Sequence, residues 1–262
     1  MMRTAAWTAV FAGGCYAALC LYYHLLQDRL VFPGARAVAP DMPVVEVRFA
    51  VPGAVLAGAV VNPDAPVDVV YFGGNAEPVV QNAPRFAAIA HARTLLVDYR
   101  GYGASTGKPS EATIVDDAVR SIGAFRTGRS GPLVLVGRSL GSGVAALAAA
   151  RFAPNVDALV LLSPFCSLTS VAAFHLPWLP VSLLMRSRFD VQSVVDALPR
   201  AVSIVVGLDD DIVPPSESRC LVRALPAPRT VLELPSTGHN DVLERDATWR
   251  LIADVVDSIE RR

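Results

Sequence analysis

The chain has 262 residues, a formal net charge of −1 and a mean hydropathy of +0.42. That length supports one large domain with a substantial core, and the near-neutral charge lacks the basic footprint of a nucleic-acid-binding protein. Lys108, in the turn-like "STGKPS", is the single candidate for any lysine base, and Cys15, Cys20, Cys166 and Cys220 have no metal-ligand spacing and read as packing residues that assign no redox compartment.

From Thr4 to Gln27 the sequence "TAAWTAVFAGGCYAALCLYYHLLQ" contains no Asp, Glu, Lys or Arg. As a helix this stretch would be about 36 Å long, against a hydrocarbon core of about 30 Å. Trp7 near one end and Tyr22 and Tyr23 near the other suit the two interfaces of a bilayer. An uncleaved single-span anchor over residues 1–27 is the favoured expectation, with a buried helix as the alternative. Arg3 on one side faces Arg29 and Arg36 on the other, too few charges for the positive-inside rule to assign an orientation.

Residues 28–43, with "QDRLVFPG" and several prolines, read as a juxtamembrane linker, and residues 44–262 as one domain. Strands are expected over Val44–Val51, Leu56–Val61, Val67–Phe72, Thr94–Tyr99, Leu133–Val136, Ala158–Leu162, Ser203–Val206 and Thr230–Leu234. The later six are short apolar runs, the pattern of strands buried on both faces of a parallel sheet. Helical stretches fall between them, clearest at Ser110–Phe125, Leu140–Phe152, Pro215–Ala224 and Thr248–Ile259. Such alternation predicts a doubly wound α/β sheet. Residues 164–198 interrupt it with an apolar insertion carrying Phe174, Leu176, Trp178, Leu179 and Leu183. Either a lid suited to an apolar substrate or membrane surface, or an extra pair of packed helices, would account for it.

Within "LVLVGRSLGSGVAALAAA", Gly137-Arg138-Ser139-Leu140-Gly141 forms G-x-S-x-G. The pattern arises by chance in roughly one chain in ten of this length. Here, however, a buried strand precedes it and a helix follows, the setting of a serine nucleophile on a strand-to-helix turn. "GSGVAA" also fits a relaxed dinucleotide-binding pattern, but it begins four residues past the strand end, and Leu161, Leu162 and Ser163 stand where a ribose-binding acid would be needed. Nucleotide binding is therefore not expected.

A serine nucleophile needs a base, and the base an orienting carboxylate. Of the four histidines, His24 lies in the apolar N-terminus, His91 ends a helix and His175 lies in the insertion. His239, in "STGHND", follows the last strand, where a base would stand at the carboxyl edge of the sheet. The acid should follow a strand between Ser139 and His239, and "SIVVGLDDDIVPP" offers Asp209, Asp210 and Asp211.

The ordered segments "QDRLVFPG", "VVYFGGNAE", "LLVDYRGYGASTGKPSE", "LVGRSLGSGVA", "LLSPFCSL", "PWLPVSLLMRSRFD", "GLDDDIVPP" and "GHND" resemble the α/β-hydrolase superfamily, in particular its membrane-anchored branch related to bud-emergence proteins and serine aminopeptidase-like hydrolases. The resemblance implies an α/β-hydrolase fold and, through the pattern G-x-x-D-x-x-V-P from Gly207 to Pro214, selects Asp210 as the acid. It implies an oxyanion hole of the Leu140 and Asn75 backbone N–H groups, with Gly74 as fallback. It also makes Asp98 and Arg100 loop-bracing residues. Gly73 departs from the family by replacing a usual His. Glu77 adds a charge that would disfavour anionic substrates or face water, and Arg138 would approach a substrate headgroup or pair with an acid at the surface.

The chemistry expected is hydrolysis of an ester or thioester with an acyl or lipid-like substrate, at a membrane, with no metal, organic cofactor or nucleotide. Peptide hydrolysis of the aminopeptidase type is the enzymatic alternative, and a membrane-tethered scaffold retaining the fold is the non-catalytic one.

Overall fold

The computed structural model describes residues 2–226 and 229–261. A long helix α1 (Met2–Val31) leads into the hairpin β1 (Val45–Val51) and β2 (Ala54–Val61). The alternating part follows: β3 (Val67–Phe72), α2 (Ala83–Ala87), β4 (Ala92–Val97), α3 (Glu111–Phe125), β5 (Leu133–Arg138), α4 (Leu140–Phe152) and β6 (Ala158–Leu162). The insertion carries α5 (Leu168–His175) and α6 (Val181–Leu184). Then come β7 (Ala201–Gly207), α7 (Pro215–Ala224), β8 (Arg229–Leu234) and α8 (Asp246–Glu260).

All the strands join one eight-stranded sheet in the order β1-β2-β4-β3-β5-β6-β7-β8. β1 pairs with β2 and β2 with β4 antiparallel, and every other pairing is parallel. The parallel strands are apolar throughout because both faces are covered. Val70 and Phe72 join a cluster with Ile114 of α3, Val144 of α4 and Leu221 of α7. Val69 and Tyr71 join the opposite cluster with Phe86 of α2 and Trp249 of α8. Ser110 starts α3 with a reciprocal capping box to Thr113, satisfying helix N–H groups that otherwise lack acceptors.

Two expectations about strands need correction. The β4 strand spans Ala92–Val97, two residues earlier than expected, because the chain turns away at Asp98. The β8 strand is not buried on both faces: it is the sheet's edge, and only Leu234 of its residues is buried.

The N-terminal region also differs in detail. α1 continues through residues 28–31, part of the stretch expected as linker. Beyond it, Phe32 is buried against Phe189 with ring centroids 6.3 Å apart, and Gly103 N–H donates to the Ala35 carbonyl at 2.9 Å. Residues 7–31 form a helix long and apolar enough to cross a membrane, with a mean hydropathy of 1.5 over its most apolar 18-residue stretch. Trp7, Phe11 and Leu25 expose their side chains.

Cys166 and Cys220, expected to be separate packing residues, form a disulfide, with Cα atoms 5.9 Å apart. Their separation of 54 residues gave no local spacing to read, since the fold alone brings the start of the insertion against α7. Alkylation of the denatured, unreduced protein should therefore modify Cys15 and Cys20 alone. Cys220→Ser should cost about 2–4 kcal/mol in reversible unfolding. Four alkylated thiols would contradict the pairing.

Candidate active site

The sheet order reverses around β3, which lies between β4 and β5, so connections leave these central strands in opposite directions and open a crevice at their carboxyl ends. The register pairs Phe72 with Gly137 and Arg138 with Leu162. The loop beginning at Gly73 therefore lies beside the end of β5, and Ser139 stands at the crevice.

Ser139 occupies a sharp turn, with φ 52° and ψ −120°, a region that L-residues enter at a cost of about 1–3 kcal/mol. Its N–H donates to the Leu162 carbonyl at 2.8 Å, and its own carbonyl accepts from Ser142. The flanking glycines allow the chain to pass: a Cβ on Gly137 would strike the Gly141 carbonyl, and one on Gly141 would strike the Phe72 carbonyl of β3. The small, apolar α4 that follows is buried along most of its length, which suits a helix set directly on the sheet.

The structure brings Ser139, His239 and Asp210 together. Ser139 Oγ–H donates to His239 Nε2 at 2.9 Å, and His239 Nδ1–H donates to Asp210 Oδ2 at 2.8 Å, the tautomer that satisfies both contacts. All three residues are buried. Asp210 Oδ1 accepts from the Ile212 and Val213 N–H groups at 3.0 and 2.7 Å, which fixes the carboxylate plane. Asp209 and Asp211 are exposed.

Burial works to raise the Asp210 pKa, but hydrogen bonding and attraction from His239, with the Val213 N–H, leave it below the usual carboxylate value. Leu140 and Asn75 both line the cavity that holds Ser139. As the first residue of α4, Leu140 has an N–H with no intrahelical acceptor. The fallback donor is already engaged, because Gly74 N–H donates to Glu77 Oε2 at 2.7 Å. The Asn75 side chain is held in turn by the Tyr102 hydroxyl, which donates to its Oδ1 at 2.7 Å.

Glu77 and Arg138 do pair, but not at the surface: Arg138 is buried, the Glu77 side chain is only 10% exposed, and the two meet at 2.9 Å. Glu77 Oε1 accepts from the Tyr71 hydroxyl and Asn82 Nδ2, and Oε2 from Gly74 N–H and Arg138 Nη1. Arg138 Nη2 donates to the His239 carbonyl at 3.0 Å and Asn240 Oδ1 at 2.9 Å. One ion pair thus connects the loop after β3, the residue before Ser139 and the loop carrying His239. The sequence showed both residues but not that β3 and β5 place them side by side. Arg100 forms a buried two-pronged pair with Asp117, at 2.7 and 2.6 Å, in keeping with a bracing role.

Above Ser139 lies a cavity of about 260 Å³, walled mainly by apolar side chains. Phe165, Leu168, Val171, Leu176 and Leu184 of the insertion contribute, so its short helices roof the serine. His175 Nε2 bonds the Ile212 carbonyl at 2.9 Å, tying that roof to the loop of Asp210. Among the described residues, no group of His, Cys, Asp or Glu is arranged to hold a metal ion.

Residues 72–192 match a family model described as the alpha/beta hydrolase fold. The chain has the α/β-hydrolase fold. It is 39% identical over 151 residues to an uncharacterized protein of Mycobacterium tuberculosis, covering 56% of this chain and 53% of that one. It is 32% identical to an uncharacterized membrane protein of Saccharomyces cerevisiae, over 61% of this chain and 58% of the relative. To protein bem46 of Schizosaccharomyces pombe it is 27% identical, over 74% and 68%. The match thus spans little more than half the length of the first two relatives. Among solved structures, the α/β hydrolase GrgF from Penicillium sp. sh18 superposes with a TM-score of 0.68 at 18% identity, over 84% of this chain and all 100% of that one. A membrane phospholipase A superposes with a TM-score of 0.64 at 15% identity, over 100% of this chain and 98% of that one. At such identities the structural likeness speaks for the fold alone.

Two outcomes follow from this geometry. Removing one member of the buried Glu77–Arg138 pair leaves the other uncompensated, so Glu77→Ala should lower unfolding stability by about 3–5 kcal/mol, measured by denaturant titration. A loss below about 1 kcal/mol would place the pair in water, as for a surface bridge. Because the Asp210 pKa is depressed by folding, its carboxylate contributes stability above the unfolded value of about 3.9, and this is lost as pH falls through the lower folded value. The stability gap between wild type and Asp210→Asn should therefore narrow below about pH 4 in acid-unfolding titrations.

Proposed function

We propose that this chain is a membrane-anchored serine hydrolase that cleaves a carboxylic ester or thioester of an acyl or lipid-like substrate. The observation that carries the reading is the continuous Ser139–His239–Asp210 hydrogen-bond chain, with contacts of 2.9 and 2.8 Å, at the floor of an apolar cavity. Ser139 Oγ attacks the acyl carbonyl while His239 Nε2 takes its proton, and Asp210 holds the imidazole in the required tautomer and stabilises the imidazolium. The N–H groups of Leu140 and Asn75 hold the oxyanion, a contribution of about 3–4 kcal/mol when one such donor is lost. The imidazolium then protonates the departing alcohol or thiol. Water, deprotonated by His239, attacks the acyl-enzyme and releases the carboxylic acid, restoring the Ser139 hydroxyl.

The wall chemistry favours an acyl group over a peptide. No Asp or Glu lies among the described residues lining the cavity, so nothing there would hold the free ammonium group an aminopeptidase must recognise. Membrane attachment rests on the apolar α1, whose exposed Trp7, Phe11 and Leu25 suit lipid contact. The naming of one relative as a membrane protein agrees with this.

The test is covalent labelling of detergent-solubilised protein with a fluorophosphonate, wild type beside Ser139→Ala. Labelling lost in the variant is expected. Equal labelling of both, or none of a folded wild type, would sink the reading. Asp210→Asn should retain the fold while lowering kcat toward an acyl ester by about 10⁴-fold; near wild-type turnover would exclude Asp210 from the role.

A further inference from the structure

We infer that α1 is a wall of the substrate site as well as an anchor, and that the cavity takes one acyl chain of a lipid ester drawn directly from the bilayer in which α1 sits. The inference rests on the serine-hydrolase reading and adds the substrate class and its route. Tyr23, Gln27, Leu30 and Val31, all on the last turns of α1, line the same cavity as Ser139. Leu30 is both a lining residue and 58% exposed, so the cavity opens along the flank of this helix.

The helix is clasped to the roof. Gln27 is buried; its Nε2 donates to the Leu184 carbonyl at 2.9 Å and its Oε1 accepts from Arg186 N–H at 2.7 Å. Arg186 also pairs with Asp28 at 3.0 Å. A turn or more further toward the N-terminus, the Tyr16 hydroxyl donates to the Trp178 carbonyl at 2.8 Å, and the Tyr23 and Trp178 rings meet edge-on at 5.9 Å. A helix that served only as a tether would need none of these contacts.

The geometry also sets the depth. Aromatic side chains such as Tyr22 and Tyr23 favour the level of the lipid headgroups. Leu30 lies seven residues beyond Tyr23, about 10 Å along the helix. The mouth is therefore within a short reach of the bilayer surface. On the roof, Phe174, Trp178 and Leu183 are exposed apolar side chains on the segment clasped to α1, suited to rest in that surface. An acyl chain can leave the bilayer along Leu30 and fill the apolar cavity. Its ester carbonyl then meets Ser139, and the polar headgroup stays at the mouth.

The experiment uses the full chain in phosphatidylcholine nanodiscs and measures the rate of Ser139 labelling by a hexadecyl-chain and an ethyl-chain fluorophosphonate. Probe partitioning into the bilayer is common to all proteins compared, so differences in the long-to-short rate ratio between them report the pocket. Wild type should favour the long chain. Leu30→Trp, which narrows the mouth, should lower the ratio at least about tenfold, the scale of burying only two methylenes. Leu30→Ala, which widens it, should keep the wild-type ratio or raise it, and melting curves verify that both variants fold. The same ratio in wild type and Leu30→Trp, both labelled at Ser139, would overturn the role of α1 and leave the hydrolase reading standing. Absence of labelling by either probe in folded wild type would instead remove the hydrolase reading, and this inference with it.

Discussion

The backbone of Ser139 is held in a left-handed turn between the central strand β5 and the buried helix α4. The rest of the site depends on that constraint. Its strain is tolerable because the turn is fixed from both sides, by the hydrogen bond to Leu162 on β6 and by the close passage of Gly141 against the β3 carbonyl of Phe72. The close passage sets α4 directly on the sheet and brings the N–H of Leu140 beside the loop of Asn75. A side chain larger than hydrogen at Gly137 or Gly141 would push strand and helix apart and displace the serine.

Around this turn, the loops that bear the other groups are held by polar contacts buried at the end of the sheet. Glu77 uses both carboxylate oxygens on four donors, and one of these, Arg138, continues to the loop of His239. Gly73 offers no side chain to brace this loop, and the ion pair with its hydrogen bonds does so instead. The pair is costly to desolvate, and its hydrogen bonds offset that cost: both Glu77 oxygens and both terminal nitrogens of Arg138 are engaged, and only Arg138 Nε is left without a partner. Ser139, His239 and Asp210 come from three separate loops over about 100 residues of sequence. Their alignment within hydrogen-bonding distance depends on loops that cannot drift independently.

How much of this was legible in the sequence follows from the range of the interactions involved. The alternation of apolar runs and helical stretches is local, and so the α/β order and the strand–turn–helix setting of Ser139 could be read directly. His239 emerged from a short inventory of histidines. Asp210 was separated from Asp209 and Asp211 only through the resemblance to the α/β hydrolases, because three adjacent carboxylates look alike until the Ile212 and Val213 N–H groups choose one. The features that escaped depend on which strands become neighbours. The Cys166–Cys220 pair, the burial of Glu77 with Arg138, and the docking of Gln27 on the roof each join positions at least 54 residues apart with no local pattern. The exposure of β8 was partly legible: its edge position follows from the strand order, but Arg229 and Glu233 interrupt its apolar run, whereas β7 beside it carries no charge.

The central chemical claim is that turnover passes through an acyl group carried on Ser139. The most direct measurement is intact-protein mass spectrometry of wild type mixed with an activated long-chain acyl ester and quenched during the first turnovers, followed by peptide mapping. A transient mass gain of one acyl group, confined to the peptide containing Ser139 and absent in Ser139→Ala, is the expected result. Ester hydrolysis that continues undiminished in Ser139→Ala, with no acyl adduct on wild type, would contradict it.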